Sequence, residues 1–219
     1  GIACAAARGP SARPTWSNES SVSTPCSVWL QRSEDGPDAV WRLRAARRAF
    51  VCLESKGQNP QVALRIVVRE DQAQTYSLDL GERYLAQAPA AQRAERLAVA
   101  RALSGKSKRL DAAFLLGQAA SAPSQDQAAL WQGVVEVDPL GARGRRAMLA
   151  LAATASDDAT KVVWLRRALA PHRGVLPHFG HAEYGGLSAA AQTLAQLCKR
   201  LGDATCQQWA EARRAELER

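Results

Sequence analysis

Apolar residues in this chain recur at helical rather than strand spacing from about residue 38 onward. In Asp111-Ala-Ala-Phe-Leu-Leu116-Gly117-Gln-Ala-Ala120, Leu116, Gly117 and Ala120 fall at i, i+1 and i+4, one face of a 3.6-residue helix. After a short break, Leu130, Trp131, Val134, Val135 and Val137 form a broad stripe on a second helix, which Asp138-Pro139 closes because proline cannot continue it. Only Arg65-Ile-Val-Val-Arg69 reads as possible strand, and it lies in a stretch that Asn59-Pro60 marks as a helix start. No apolar run reaches the ~18 residues of a membrane span.

The helix pairs repeat. Leu80-Gly81 precedes Leu116-Gly117 by 36 residues, Leu116 precedes Leu149-Ala150 by 33, and Trp131 precedes Trp164 by 33. Leu194-Ala195 lies 45 residues past Leu149, one repeat plus about 12 residues, and the Gly/Pro-rich stretch at about 173–187 holds that insertion as a loop. A period near 34 residues predicts stacked helical hairpins, none able to bury its apolar face alone. A degenerate pair of helices is expected at about 38–56 and 60–70. Trp131 and Trp164 should be equivalent core residues of successive repeats, filling space opposite the small residues of the first helices.

Leu80-Gly81-Glu82-Arg83-Tyr84 resembles the Leu-Gly-x-x-Tyr first-helix signature of the tetratricopeptide repeat family, and Leu116-Gly117 with Ala120 follows it less fully. Leu149-Ala150 and Leu194-Ala195 keep only a small residue in place of the glycine. The resemblance covers roughly residues 74–219 and implies an all-α, right-handed superhelical array of antiparallel helix pairs, an α-solenoid, occupying residues 38–219 behind an irregular tether at 1–37. It also implies that the first helices line a concave groove. Stepping 3, 4 and 3 residues along them gives Thr75, Leu78, Glu82 and Leu85; Asp111, Phe114, Gln118 and Ser121; Gly144, Ala147, Leu151 and Thr154; and Ala189, Gln192, Gln196 and Lys199. This mixed surface suits a peptide or helix of a partner protein, with Phe114 its aromatic anchor. Family members that clamp carboxylate tails use Asn where Glu82, Gln118 and Leu151 stand, so that partner class is not expected.

Net charge is +8, carried by 24 Arg and 5 Lys. Composition bias alone produces such arginine, and Arg42, Arg44, Arg47 and Arg48 spread around a helix without interleaved aromatics. Nucleic acid is therefore not an expected partner; a solvated basic face attracted to acidic partners or anionic surfaces is.

Five cysteines change the picture further. Cys198 and Cys206 flank a Gly202-Asp203 turn at a spacing that lets two antiparallel helices bring them together, and the hairpin is similar to those of secreted cysteine-rich helical-repeat proteins. Cys26 and Cys52 are the natural second pair, and no Cys-x-x-Cys points to metal instead. Cys4 remains. Gly1-Ile2-Ala3-Cys4-Ala5 matches what would remain if a bacterial lipoprotein signal were cut back to its last residues, so Cys4 is the expected lipidation site, followed by a tether rich in Ala, Ser, Pro, Arg and Thr.

No nucleophile, base and orienting group can be assembled from the sequence. His172, His178 and His181 cluster in the inserted loop beside Glu183, with nothing to pre-orient their rings as metal ligands, and a surface role for that loop is the expectation. Gly105-Lys106-Ser107 lacks the upstream glycine of a P-loop. The expected function is a non-catalytic interaction scaffold without cofactor or metal, an exported outer-membrane lipoprotein of the periplasm assisting assembly of an envelope machine, in the manner of a pilotin of a secretion or pilus system. The alternative is a cytosolic regulatory adaptor or chaperone with reduced thiols.

Overall fold

A computed structural model describes residues 24–170 and 181–218, with side chains of 181–185 left aside. Among the described residues the secondary structure is helical, with no strand. Eleven α-helices follow one another: α1 (Cys26–Asp35), α2 (Ala39–Ser55), α3 (Gln61–Glu70), α4 (Ser77–Ala86), α5 (Arg93–Leu103), α6 (Lys108–Ser121), α7 (Ser124–Val137), α8 (Ala142–Thr154), α9 (Asp158–Leu169), α10 (His181–Arg200) and α11 (Ala204–Leu217). A single 3₁₀ turn, Ala90–Gln92, leads into α5. The ambiguous Arg65–Arg69 segment is helical, within α3.

Local chemistry sets the helix ends. Asp38, Ser107, Asp157 and Asp203 each accept a hydrogen bond from the backbone N–H three residues on, satisfying a donor that a helix start leaves open. At the end of α2, the Gln58 N–H reaches the Leu53 carbonyl and the Gly57 N–H that of Glu54, both at 2.9 Å, with Gly57 at φ 67°. The end of α10 repeats the motif through Asp203 to Cys198 and Gly202 to Lys199, with Gly202 at φ 72°. Such a left-handed residue costs a glycine nothing and ends the helix abruptly.

Helices pack mainly against their neighbours in chain order, from α1 on α2 through α10 on α11. The exception is α4, whose main partner is α6 rather than the intervening α5. Glycine explains it: Gly81 faces Leu110 and the Phe114 ring, and Gly117 lies directly on the Glu82 backbone. With no side chain at either position the two helices approach closely, and α5 rests to one side against α3 and α4. The buried apolar residues form successive clusters. One joins α1 to α6 around Trp29, Phe50, Tyr84 and Phe114. The next joins α6 to α9 around Leu116, Val134, Met148 and Leu151, and a further one joins α8 to α11 around Leu165, Leu194, Leu197 and the Cys198–Cys206 pair. Trp131 and Trp164 pack half-buried at the margins of these clusters rather than at their centres.

Two boundaries move. The expected tether at 1–37 gives up Cys26–Asp35 to α1, because Trp29, 1% exposed, anchors that helix in the first cluster. The expected loop at about 173–187 gives up its end to α10, which begins at His181. Residues 171–180, with His172 and His178, lie outside the described residues, as does Cys4.

Two helical glycines, one at the close approach and one away from it, make opposite predictions for replacement. A Cβ at Gly117 would run into the Glu82 carbonyl, backbone that cannot yield, so Gly117→Ala should destabilise by about 1–3 kcal/mol or more, as overpacking does. At Gly133 a Cβ would meet only the Leu115 side chain, 3.5 Å away, so Gly133→Ala should be neutral or stabilise by up to about 1 kcal/mol through helix propensity. Urea unfolding of the two variants checks this; equal effects would rule out the close α4–α6 contact.

Candidate functional site

The stripe expected along the first helices divides once the helices pack. Leu78, Phe114 and Leu151 are buried, a correction to their placement on an open groove. The α4–α6 contact lays the Phe114 ring over Gly81, so this side chain, 3% exposed, fills core instead of offering an anchor. Leu78 joins the same cluster and Leu151 the next. Helical steps of 3 and 4 residues spread a stripe around enough of the helix that its inner members meet the adjacent helix. Thr75, Thr154, Gln192, Gln196 and Lys199 stay exposed, and Glu82, Asp111 and Gln118 are half-buried.

The polar members have definite partners. Glu82 accepts from Arg143 Nε at 3.1 Å and from both terminal nitrogens of Arg146, at 2.9 and 3.1 Å, while Arg143 also reaches Asp79 Oδ1 at 2.7 Å. Glu82 and Asp79 belong to α4 and both arginines to α8, so the network spans α6, whose Gly117 lies beneath it. Asp111 accepts from the Gly105 N–H at 2.9 Å and fastens the turn before α6. Gln118 lines a cleft of about 390 Å³ with Leu85, Leu97 and Leu130. Gln196 lines another, of about 460 Å³, with Leu149, Thr193 and Arg200. Gln118 and Gln196 thus line two separate clefts.

A third and larger cavity, about 930 Å³, was not anticipated from the sequence. It is bounded by Arg44, Arg47, Arg48 and Lys56 of α2 and its end, with Arg83 of α4. Read only as far as Arg48, the arginines look dispersed. Followed to residue 56, positions 44, 47, 48, 51, 52 and 55 lie on one side of α2, and Lys56, just past its end, lines the same cavity, while Arg42 turns away to bind Glu70 at 2.9 Å.

Three perturbed titrating groups are buried. Burial pushes the Tyr84 hydroxyl up to about 12, with the Arg96 charge and a 2.9 Å bond to Asn59 Oδ1 pulling against it. Buried Arg96 donates to the Tyr84 carbonyl at 2.7 Å and to Gln92, and its guanidinium lies 4.9 Å from the Tyr84 ring centre; desolvation lowers its pKa. Burial also works against the Asp71 carboxylate, yet N–H donation from Ser77, Tyr76 and Thr75 prevails and lowers its pKa. Asp71 thereby fastens the start of α4. These groups hold backbone rather than face a cleft.

Cys26 and Cys52 form a disulfide, as do Cys198 and Cys206, with Cα separations of 5.6 and 5.7 Å, in the usual range. Among the described residues no group of three His, Cys, Asp or Glu is placed to hold a metal ion, and no helix is long and apolar enough to cross a membrane. No family model, curated protein or solved structure matches the chain.

Two measurements follow from this geometry. A double-mutant cycle with Glu82→Gln and Arg143→Gln should give a coupling of about 1 kcal/mol in urea unfolding, modest because the pair is partly hydrated; additive losses would dissolve the network. For Tyr84, the folded value lies above the ordinary ~10 of a tyrosine, so its stabilising contribution is complete below that pH and lost as pH rises through about 12. Ultraviolet titration of the native protein should show a phenol ionising near pH 12 that Tyr84→Phe removes; complete tyrosine ionisation by about pH 10.5 in folded protein would contradict it.

Proposed function

We propose that this chain is a non-catalytic protein–protein interaction scaffold, built as a superhelical array of tetratricopeptide-like helix pairs. The observation that carries this reading is the ordered packing of each helix on its chain neighbours with the core divided into successive clusters, the way repeat arrays bury apolar surface. A body of this kind presents an extended series of clefts instead of one enclosed site, and Glu82, Gln118, Thr154, Gln192, Gln196 and Lys199 border that surface.

The two disulfides fit an oxidising compartment, which favours export over the cytosolic alternative with reduced thiols. We place the scaffold in the periplasm, held to the outer membrane by a lipid on Cys4, assisting the assembly of an envelope machine such as a secretion or pilus system. Its partner is a protein or peptide of that machine, and membrane contact runs through the anchor.

Thiol alkylation followed by peptide mapping of protein taken directly from its cells should find both cysteine pairs oxidised and Cys4 acylated. Photo-crosslinkers at Gln118 and Gln196 should then trap components of one envelope complex. Four free thiols at Cys26, Cys52, Cys198 and Cys206 would return the protein to the cytosolic reading, and absence of any crosslinked protein from both positions would overturn the scaffold.

A further inference from the structure

The basic cavity carries an inference that does not depend on the α4–α6–α8 face. Helix α2 buries Ala45, Ala46, Ala49 and Phe50 and turns its opposite face into this groove, whose cations extend from Arg44 to Lys56, about 18 Å of helix at 1.5 Å per residue. Arg83 of α4 stands across from them, and Trp29, Val51 and Leu80 complete the lining. We propose that the groove binds an extended acidic peptide segment of a partner protein, one carrying an apolar side chain among its carboxylates.

Charge complementarity is the first reason. Among the described residues no carboxylate lines the groove, and the nearest acid on α2, Glu54, is already ion-paired with Arg83. Arg44, Arg47 and Lys56 have no ion pair with any carboxylate of the described residues. Arg47 spends its planar face on the Tyr76 ring, 3.5 Å away, while its charge remains available. Val51, 46% exposed, sits midway along the row of cations and offers an apolar contact where a purely electrostatic site would need none.

Length and shape exclude the other anions. A single phosphate cannot address cations spread over ~18 Å, whereas an extended peptide covers that distance in five or six residues at about 3.3 Å each. The rings beside the groove are already engaged: Trp29 is buried between Arg32 and Arg48, at 5.0 and 4.8 Å, and Tyr76 lies under Arg47. Neither of these two rings is left open for a nucleic-acid base to stack on. Cations on two facing helices of a concavity do not meet a flat bilayer together.

The test uses the full disulfide-bonded chain and a rhodamine-labelled peptide, Glu-Asp-Glu-Leu-Glu-Asp-Glu, read by fluorescence anisotropy against its Gln/Asn counterpart. The acidic peptide alone should bind, more weakly as salt rises. Arg44→Glu/Lys56→Glu should raise its Kd by about tenfold or more, whereas Arg101→Glu/Lys108→Glu, outside the groove, should change it by less than about twofold. Arg44→Gln/Lys56→Gln should act in the same direction as the reversal and less strongly, and Val51→Asp should weaken binding too. All four should retain the parent's circular dichroism melting curve. Equal weakening by the groove and control pairs would reduce the binding to net charge and overturn the proposal. So would undiminished binding in Arg44→Glu/Lys56→Glu, or stronger groove-dependent competition by oligothymidylate or by vesicles of equimolar phosphatidylglycerol and phosphatidylcholine.

Discussion

The close approach of α4 and α6 is the constraint on which the rest of the arrangement depends. Gly81 and Gly117 remove the two side chains that would hold these helices apart, and the backbone of Glu82 comes to rest on α6. Three consequences follow from that one contact. Phe114 is drawn over Gly81 into the core, α5 is excluded from the stack and anchors itself through buried Arg96, and the Glu82 carboxylate is carried to within reach of Arg143 and Arg146 on α8. A first helix without glycine at this point would need the next pair displaced, and the network across α6 would lose its geometry. Packing at native density tolerates no such shift without repacking its neighbours.

The extremities of a linear array have only one neighbour to bury against, so they are its weakest units. Here the first and last described helix pairs each carry a disulfide: Cys26–Cys52 ties α1 to α2, and Cys198–Cys206 ties α10 to α11. Closing such loops contributes about 2–4 kcal/mol in the chain-entropy account, comparable to the burial of a large apolar side chain. Covalent staples thereby reinforce the first and last described helix pairs. The same turn that ends α10 serves the staple, since the abrupt stop at Gly202 and the cap at Asp203 bring Cys206 back beside Cys198.

Much of this was legible in the sequence, and the failures have physical causes. Helical periodicity, proline and glycine punctuation and cysteine spacing sufficed for the all-helical fold, the turns at Asp138-Pro139 and Gly202-Asp203, and both cysteine pairs. Helix α1 was hidden because its only strong apolar anchor, Trp29, follows a segment of tether-like composition. The α4–α6 pairing was hidden because chain order suggests that α4 pairs with α5; the clue was the pair of Leu-Gly steps, read as a repeat signature and not as a contact between the two copies. Periodicity assigned Phe114 and Leu151 to a face without saying how much of that face a neighbour covers. The cationic groove escaped for a similar reason: Arg44, Arg47 and Arg48 form a row only when extended to Lys56, and its second wall comes from α4, distant in sequence.

The preponderance of arginine over lysine looked like composition, and the packing gives it a use. Guanidinium groups lie over aromatic rings at Arg32 and Arg48 with Trp29, Arg47 with Tyr76, Arg96 with Tyr84, Arg166 with Trp209 and Arg167 with Trp164. A planar, weakly hydrated cation stacks in this way and still donates hydrogen bonds from its edge, as Arg96 does to the Tyr84 carbonyl, whereas an ammonium group has no such face. Arginine is therefore partly a packing residue here, covering rings at cluster margins that aliphatic side chains would otherwise have to fill. The carboxylates, in turn, are absorbed locally: Glu70 by Arg42 and Arg69, Glu82 by Arg143 and Arg146, Asp158 by Lys161 and Arg200, Glu216 and Glu218 by Arg213 and Arg214. Because acids are paired off along most of the stack, the surplus of +8 is not spread evenly. Part of it lies along α2, where Arg44, Arg47 and Lys56 have no ion pair among the described residues, and a concentrated field of one sign in a concave, partly apolar setting is what draws an oppositely charged chain out of solution.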